Sequence, residues 1–330
     1  MVSKSKKSTG ASVEEQDDSS SAPNKPRNFL VRDATKPFEF SFMQYGKPAS
    51  IVVNQTAEDE TWPGGALWDI GVILSSFFVE LAGFQSTTKE KAKAKIPPRM
   101  LQAIPNIRDL TVLELGCGVG LTGIVAAAVL GTQLAILTDL DVVVEKVTDP
   151  NVELNSTLSL VGNGGHNPYR LTKAAKRGRI MATPLCWGNE EDEVAVLECF
   201  RKWTKSPAKS KRKQKGKNKE SQKRDKGQPD LIIIGDVAYQ HYPGAPSHFD
   251  ILLSTLLKFL GPKTIVVFGT RMRMPASADL LDMFLEHMEE VTTPPIKADE
   301  IDPAFSKFKH QITIHIMRKR KKLKSEPNRA

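Results

Sequence analysis

The stretch VLELGCGVGLTGIVAAAVLG, residues 112–131, decides the fold. A short apolar run leads into closely spaced glycines, and a stretch rich in alanine and valine follows. Glycines between a strand and a helix let the backbone come close to a small molecule. Three readings compete. Gly118, Gly120 and Gly123 satisfy G-x-G-x-x-G, the dinucleotide pattern. Glu114, Gly116, Gly118 and Gly120 satisfy E-x-G-x-G-x-G. The third reading is a tight turn with no ligand. The register separates the first two. In a dinucleotide fold the first glycine ends the strand. Here the strand ends at Gly116, with Glu114 inside it.

Working outward, strands and helices alternate. Strands are predicted at 111–115, 133–138, 179–188, 230–237, 263–273 and 311–320. Helices are predicted at 121–130, over DLDVVVEKVTDPNVELN, at 246–260 and at 277–291. Upstream, FEFSFMQYGKPASIVVNQ (38–55) reads as a hairpin. Residues 61–84 place Ile70, Ile73, Leu74, Phe77, Phe78 and Leu81 at helical spacing. Alternating strands and helices with apolar strands predict an α/β, doubly wound, mostly parallel sheet covered on both faces. The last strand alternates apolar and polar residues and is expected as an antiparallel edge.

The chain has 330 residues, enough for one sizeable core. Residues 1–36 read as a disordered tail, 37–320 as a single domain and 321–330 as a basic tail. The net charge of +9 is local: residues 201–226 hold 13 Lys/Arg against two acids, and the rest is slightly acidic. A Lys-rich disordered insert is therefore expected at about 205–228. It lacks aromatics after Trp203, which argues against base stacking. Weak attraction to ribosomes or RNA and a nuclear address remain open. Cys117, Cys186 and Cys199 are too few and too irregular for a disulfide framework or a zinc site. No apolar run is long enough for a membrane span, and the N-terminus lacks a secretory h-region. A reduced intracellular protein is expected.

A carboxylate at Glu114 repels phosphate, but it can accept bonds from an ammonium or orient loop amides. S-adenosylmethionine has an ammonium, a carboxylate and a sulfonium, and no phosphate. Asp139 ends the second strand, where a carboxylate can accept both ribose hydroxyls. Asp141 reads better as a helix cap. Gly116, Cys117 and Gly118 form the expected backbone cradle, with Cys117 as filler and not as nucleophile. Trp68 is a core aromatic or a cofactor contact. Trp187 either packs at a rim or lies against adenine. Gly235 is small where backbone meets cofactor. Asp236 leaves the most apolar strand, where open α/β sheets bind ligands; its alternative is a cap. Arg271 and Arg273 contact an acidic substrate or are simply solvated. His241 and His248 read as exposed.

In order and spacing, WDIGVILSSFF, LELGCGVGLTGIVAA, LTDLD, LCWG and IIGDVAY resemble the family 16 seven-strand protein-lysine methyltransferases. These include the methyltransferase-like 21 group and the fungal elongation factor methyltransferases. The resemblance covers roughly residues 40–318, broken by the basic insert. It implies a seven-stranded Rossmann-like sheet and S-adenosyl-L-methionine as cofactor. It also implies cofactor contacts from Trp68 and Trp187, and a catalytic pair, Asp236 and Tyr239, with no metal. The Asp-x-x-Tyr sequence implies a lysine acceptor. GTRMRMPASADLLDMF looks most like the fungal enzymes, which implies translation elongation factor 1-alpha as the protein substrate. A cytoplasmic monomer, with the nucleus as an alternative site, completes the expectation. The competing readings are a nucleic-acid or small-molecule methyltransferase, and an inactive cofactor-binding module recruited to ribosomes.

Overall fold

The computed structural model describes residues 33–44, 47–61, 63–83, 85–86, 99, 102, 104, 110–156, 159–161, 168–170, 179–205, 227–238, 248–272 and 275–320. Most of the predicted N-terminal tail, the insert apart from its two ends, and the C-terminal tail lie outside these residues.

The chain opens with β1 (Phe38–Gln44) and β2 (Lys47–Val53), an antiparallel hairpin as expected. Helix α1 (Asp69–Leu81) follows, and β3 (Gln85–Ser86) returns to pair with β1. The main sheet begins with β4 (Thr111–Leu115), α2 (Leu121–Leu130) and β5 (Leu134–Asp139). The next helix runs as α3 (Asp141–Val143), a π turn (Val144–Thr148) and α4 (Asp149–Leu154). A short pair, β6 (Ser159–Val161) and β7 (Pro168–Arg170), stands apart from the main sheet. Then come β8 (Arg179–Pro184), α5 (Glu190–Lys205), β9 (Leu231–Gly235), α6 (Phe249–Phe259), β10 (Ile265–Arg271) and α7 (Pro275–His287). The chain closes with β11 (Met288–Glu290), β12 (Ile296–Lys297), α8 (Ala298–Ile301), a 3-10 turn (Pro303–Phe308) and β13 (Ile312–Lys319).

Five strands are parallel in the order β8-β5-β4-β9-β10, and β13 joins them antiparallel beside β10. The topology is the expected doubly wound, Rossmann-like one. The last strand is antiparallel but does not form the edge. β11 and β12 both pair with its outer side, which brings the sheet to eight strands. The reason is local. The helix predicted to 291 ends at His287, and Met288–Glu290 turns into strand that satisfies the outer backbone groups of β13.

Alternate residues of the central strands feed two separate cores. Val112, Leu137, Ile233 and Val267 pack with α1, α2 and the hairpin. Leu113, Leu115, Ile136, Ile234 and Phe268 pack with α5, α6 and α7. Each fully buried large side chain contributes roughly 1.5–3 kcal/mol. Helix α2 is buried along its whole length, which explains its lack of a polar face. Helix α5 was not anticipated. Its Val196 and Phe200 are buried one turn apart, and four acids occupy its first turn. The charge-based reading had joined its C-terminal end to the basic tract.

Candidate functional site

Two asparagines set the roof of the site. Asn151 and Asn155 lie one turn apart, and each pairs its side-chain amide with the backbone of the β2 region. Asn151 donates to Asn54 O and accepts from Asn54 N; Asn155 does the same with Val52. Asn151 Nδ2 also reaches Val119 O in the glycine loop at 3.0 Å. Residues 54–61 and 63–68 are thereby drawn over the loop. Trp68 Nε1 donates to Pro63 O at 3.1 Å, which fixes the indole at the start of α1.

Under this roof, at the C-terminal ends of β4, β5 and β9, lies a cavity of about 530 Å³. Its lining includes Trp68, Glu114, Gly116, Cys117, Gly118, Asp139, Trp187, Gly235 and Asp236. The structure therefore brings together all of the site residues expected from sequence that it describes. Tyr239 lies outside the described residues, as do His241 and Arg273. Four carboxylates line the cavity, those of Glu60, Glu114, Asp139 and Asp236, and among the described lining residues there is no Lys or Arg. Glu60 is paired with Lys146 and burial favours the protonated form of Glu114, so the wall carries fewer than four negative charges; what remains disfavours the phosphates of a dinucleotide and suits a cationic ligand.

Close approach of the backbone is real at two glycines. Gly116 has φ +68, and a Cβ there would stand 3.0 Å from Val237 Cγ1 and 3.3 Å from Trp187 Cζ2. Gly118 has φ +52, and its Cβ would stand 2.9 Å from Gly64 O. Both positions lie in the left-handed region, which suits glycine. The indole of Trp187 thus sits directly against the glycine loop.

The acids differ in how they are held. Asp139 accepts from Gly118 N at Oδ2 and from Leu140 N at Oδ1, both at 2.8 Å. Burial raises its pKa, and the two amides pull it back in part. Glu114 is pushed up to about 8, chiefly by burial; the Gly123 amide offsets part of this, and the charge of Asp139 adds to it. Its Oε2 is buried and makes no hydrogen bond among the described residues. It lies beside Gly123, where a Cβ would stand 2.3 Å away. Asp236 follows β9 with φ 51, the one positive-φ non-glycine among the described residues. Its amide donates to Gly269 O at 2.9 Å. Aspartate is among the non-glycine residues that adopt this left-handed conformation most readily.

Cys117 is buried, and burial with the charges of Asp139 and Glu114 raises its thiol pKa well above the ordinary value. That fits a filler and not a thiolate nucleophile. Arg271 is neither solvated nor open to a substrate. Its Nη1 pairs with Asp69 Oδ2 at 3.1 Å, with side chains only 9% and 1% exposed. It also donates to Gln311 and lies over the Phe308 ring. Its work is to hold the start of α1, and with it Trp68, against β10. Sequence reading missed Leu140 and Ile251, both exposed apolar residues on the cavity lining, and gave no role to His248. The position of Leu140 directly after Asp139 was the available signal.

Fold and cavity define a Rossmann-like α/β protein with a ligand site at the C-terminal ends of its parallel strands. Residues 49–198 match the family model described as lysine methyltransferase, and over that stretch the resemblance read from the sequence is borne out. The match spans most of β2, α1, the glycine loop, Asp139 and Trp187; β1 and Asp236 lie beyond it. No curated protein matches the chain. Among solved structures, the chain is similar to a TehB-like SAM-dependent methyltransferase from Corynebacterium glutamicum, with 12% identity, 64% of this chain and 82% of that chain covered, and a TM-score of 0.34. It is also similar to the T. thermophilus 16S rRNA N2 G1207 methyltransferase in complex with AdoMet and guanosine, with 11% identity, 86% and 51% covered, and a TM-score of 0.42. A putative SAM-dependent methyltransferase from Streptococcus mutans gives 12% identity, 87% and 57% covered, and a TM-score of 0.42. The chain spans little more than half the length of the last two.

Proposed function

We propose that this protein transfers a methyl group from S-adenosylmethionine to the side-chain amine of a protein lysine, with translation elongation factor 1-alpha as the favoured substrate. The observation that carries the reading is the cavity lined by four carboxylates, with Asp236 among them at the end of β9. The family match supports it.

The bound cofactor supplies an electrophilic methyl group on a sulfonium. The protein residues do the rest by holding and orienting. Glu114 accepts the ammonium of the cofactor, and ionises as that charge arrives. Asp139 keeps lone pairs free for the ribose hydroxyls beyond the two amides it already accepts. Trp187, Leu140 and Ile251 offer apolar surface for a purine. Asp236 binds the incoming lysine ammonium. A free lysine has a pKa of about 10.4, and loss of water in the cavity lowers it. Asp236 takes the proton, and the neutral nitrogen forms its bond to the methyl carbon. The cofactor's sulfur would leave with the electron pair of its bond to the methyl group. Positioning for this in-line displacement supplies most of the rate. The family resemblance adds Tyr239 as a wall of the lysine channel.

Cell lysate incubated with the protein and methyl-labelled cofactor tests the reaction. The expected result is nuclease-resistant label in protein that yields methyl-lysine on hydrolysis. Label confined to RNA would replace this reading with a nucleic-acid methyltransferase, and no label at all would leave a binding module. Mass spectrometry of elongation factor 1-alpha from cells lacking the gene tests the substrate: one methyl-lysine should be missing, and a full complement would remove this candidate. The charge of the basic tract would add salt-sensitive attraction to ribosomes, read by co-sedimentation at two salt concentrations.

A further inference from the structure

The turn that carries Trp187 is held from behind by side chains that do not line the cavity. Gly188 N–H donates to Thr255 Oγ1 at 2.9 Å. The Thr255 hydroxyl donates its single proton to Glu193 Oε1 at 2.7 Å. Lys258 donates to Glu193 Oε2. Thr255 is fully buried, and Glu193 is only 1% exposed. A carboxylate at that depth is costly unless it is paired and hydrogen-bonded, and here both oxygens are engaged.

The geometry ties this chain of bonds to the cavity. Thr255 lies one turn along α6 from Ile251, which lines the cavity. A Cβ at Gly188 would stand 2.8 Å from Ile251 Cγ2, so the turn rests directly on that helix. On its other side, Trp187 presses on Gly116. Cys186 and Gly188 are themselves exposed, while Leu185 is buried in the core and Trp187 packs against it. Two side chains bond the backbone of the turn: Thr255 accepts from Gly188 N, and Asp192 Oδ2 accepts from Cys186 N at 2.9 Å. Both are governed by the first turn of α5.

We propose that Glu193 is a positioning residue that acts through Thr255: it fixes the Gly188 amide, holds the Trp187 indole against the glycine loop, and so sets affinity for the adenine end of the cofactor. This rests on the reading of the cavity as an S-adenosylmethionine site. Glu193 touches neither cofactor nor substrate. It converts the packing of α5 on α6 into the position of one indole.

Thr255→Val keeps the shape and removes the hydroxyl; Thr255→Ser restores it. Both are measured in the full chain, alone and with Trp187→Ala, by calorimetry with S-adenosylhomocysteine and by steady-state kinetics. Losing a hydrogen bond next to a buried carboxylate should raise Kd and the cofactor KM about tenfold in Thr255→Val, with kcat changed by less than about twofold. Thr255→Ser should return both to near the wild-type values. In the Trp187→Ala background, Thr255→Val should have no further effect, because its route to the cofactor is gone. An unchanged Kd in Thr255→Val, or the same rise in both backgrounds, would overturn the inference even if the melting temperature falls. If Thr255→Val does not fold, Glu193→Gln replaces it. It keeps an acceptor for Thr255 but loses the charge facing Lys258, so a smaller rise, again absent with Trp187→Ala, is expected; no rise overturns the inference. Wild-type protein that gives no binding heat would instead sink the cofactor reading on which it stands.

Discussion

Asp139 and Asp236 sit at the ends of β5 and β9, the two strands that flank β4, and both open onto one cavity on either side of Gly116. They are held in opposite ways. Asp139 has ordinary backbone, and two amides clamp its carboxylate. Asp236 has its amide anchored to Gly269 while its own backbone is forced to φ 51. A group that only binds can be fixed by hydrogen bonds in a relaxed geometry. A group that must meet a reacting atom is aimed, and the strain is tolerated because the sheet over-determines the position. On the proposed function, the β5 end binds the cofactor and the β9 end serves the acceptor.

Separate effects at the two sites would sharpen that contrast. Asp236→Asn should lower kcat by about 10²–10⁴-fold, the usual weight of a positioned proton acceptor. Its cofactor Kd should hold within about twofold. Asp236→Gly should lose the same activity without a fall in melting temperature, since glycine accepts positive φ freely. Asp139→Ala should do the reverse. Bonds to a charged acceptor are worth roughly 1.5–3 kcal/mol, so cofactor Kd should rise about 10- to 100-fold while kcat at saturation largely survives. Equal loss of binding in both variants, read by calorimetry, would erase the distinction. Gly118→Ala should cost about 1–3 kcal/mol in thermal unfolding, because a Cβ at φ +52 meets Gly64 O at 2.9 Å.

The smallest effect is a pH slope. Glu114 titrates at about 8 in the fold against an ordinary 4.5. Between these values the folded state keeps a proton that the unfolded state has released. Stability from this group is therefore full below 4.5, declines as pH rises, and levels off above about 8. Glu114→Gln should remove that decline in urea titrations across the window. Cofactor affinity of the wild type should rise with pH up to about 8, because a cationic ligand favours the ionised carboxylate.

How much of this was legible in the sequence depended on whether chemistry was local. The glycine loop, Glu114 inside a strand and Asp139 at the end of the next could be read because each signal sits within a few residues. Trp187 could be placed beside them only through family resemblance, and its supports could not be read at all. Glu193 is far in sequence from Thr255 and Lys258, and only the packing of α5 on α6 joins it to them. Arg271 looked like a surface cation because nothing near it in sequence shows Asp69 waiting 202 residues away. The last strand read correctly as antiparallel, yet its cover by β11 needed a helix to end at His287, and MEEV carries no breaker to mark that end. The π turn at Val144–Thr148 was equally hidden; it lets Thr148 Oγ1 donate to Gly118 O at 2.7 Å.

On the proposed function, the acidic cavity takes a cationic methyl donor and not a phosphate-bearing dinucleotide, despite the G-x-G-x-x-G at Gly118–Gly123. Calorimetric titration of one protein preparation with S-adenosylmethionine and, separately, with NAD tests it most directly. One-to-one binding of S-adenosylmethionine and no detectable heat from NAD are expected. Binding of NAD with no response to S-adenosylmethionine would contradict it.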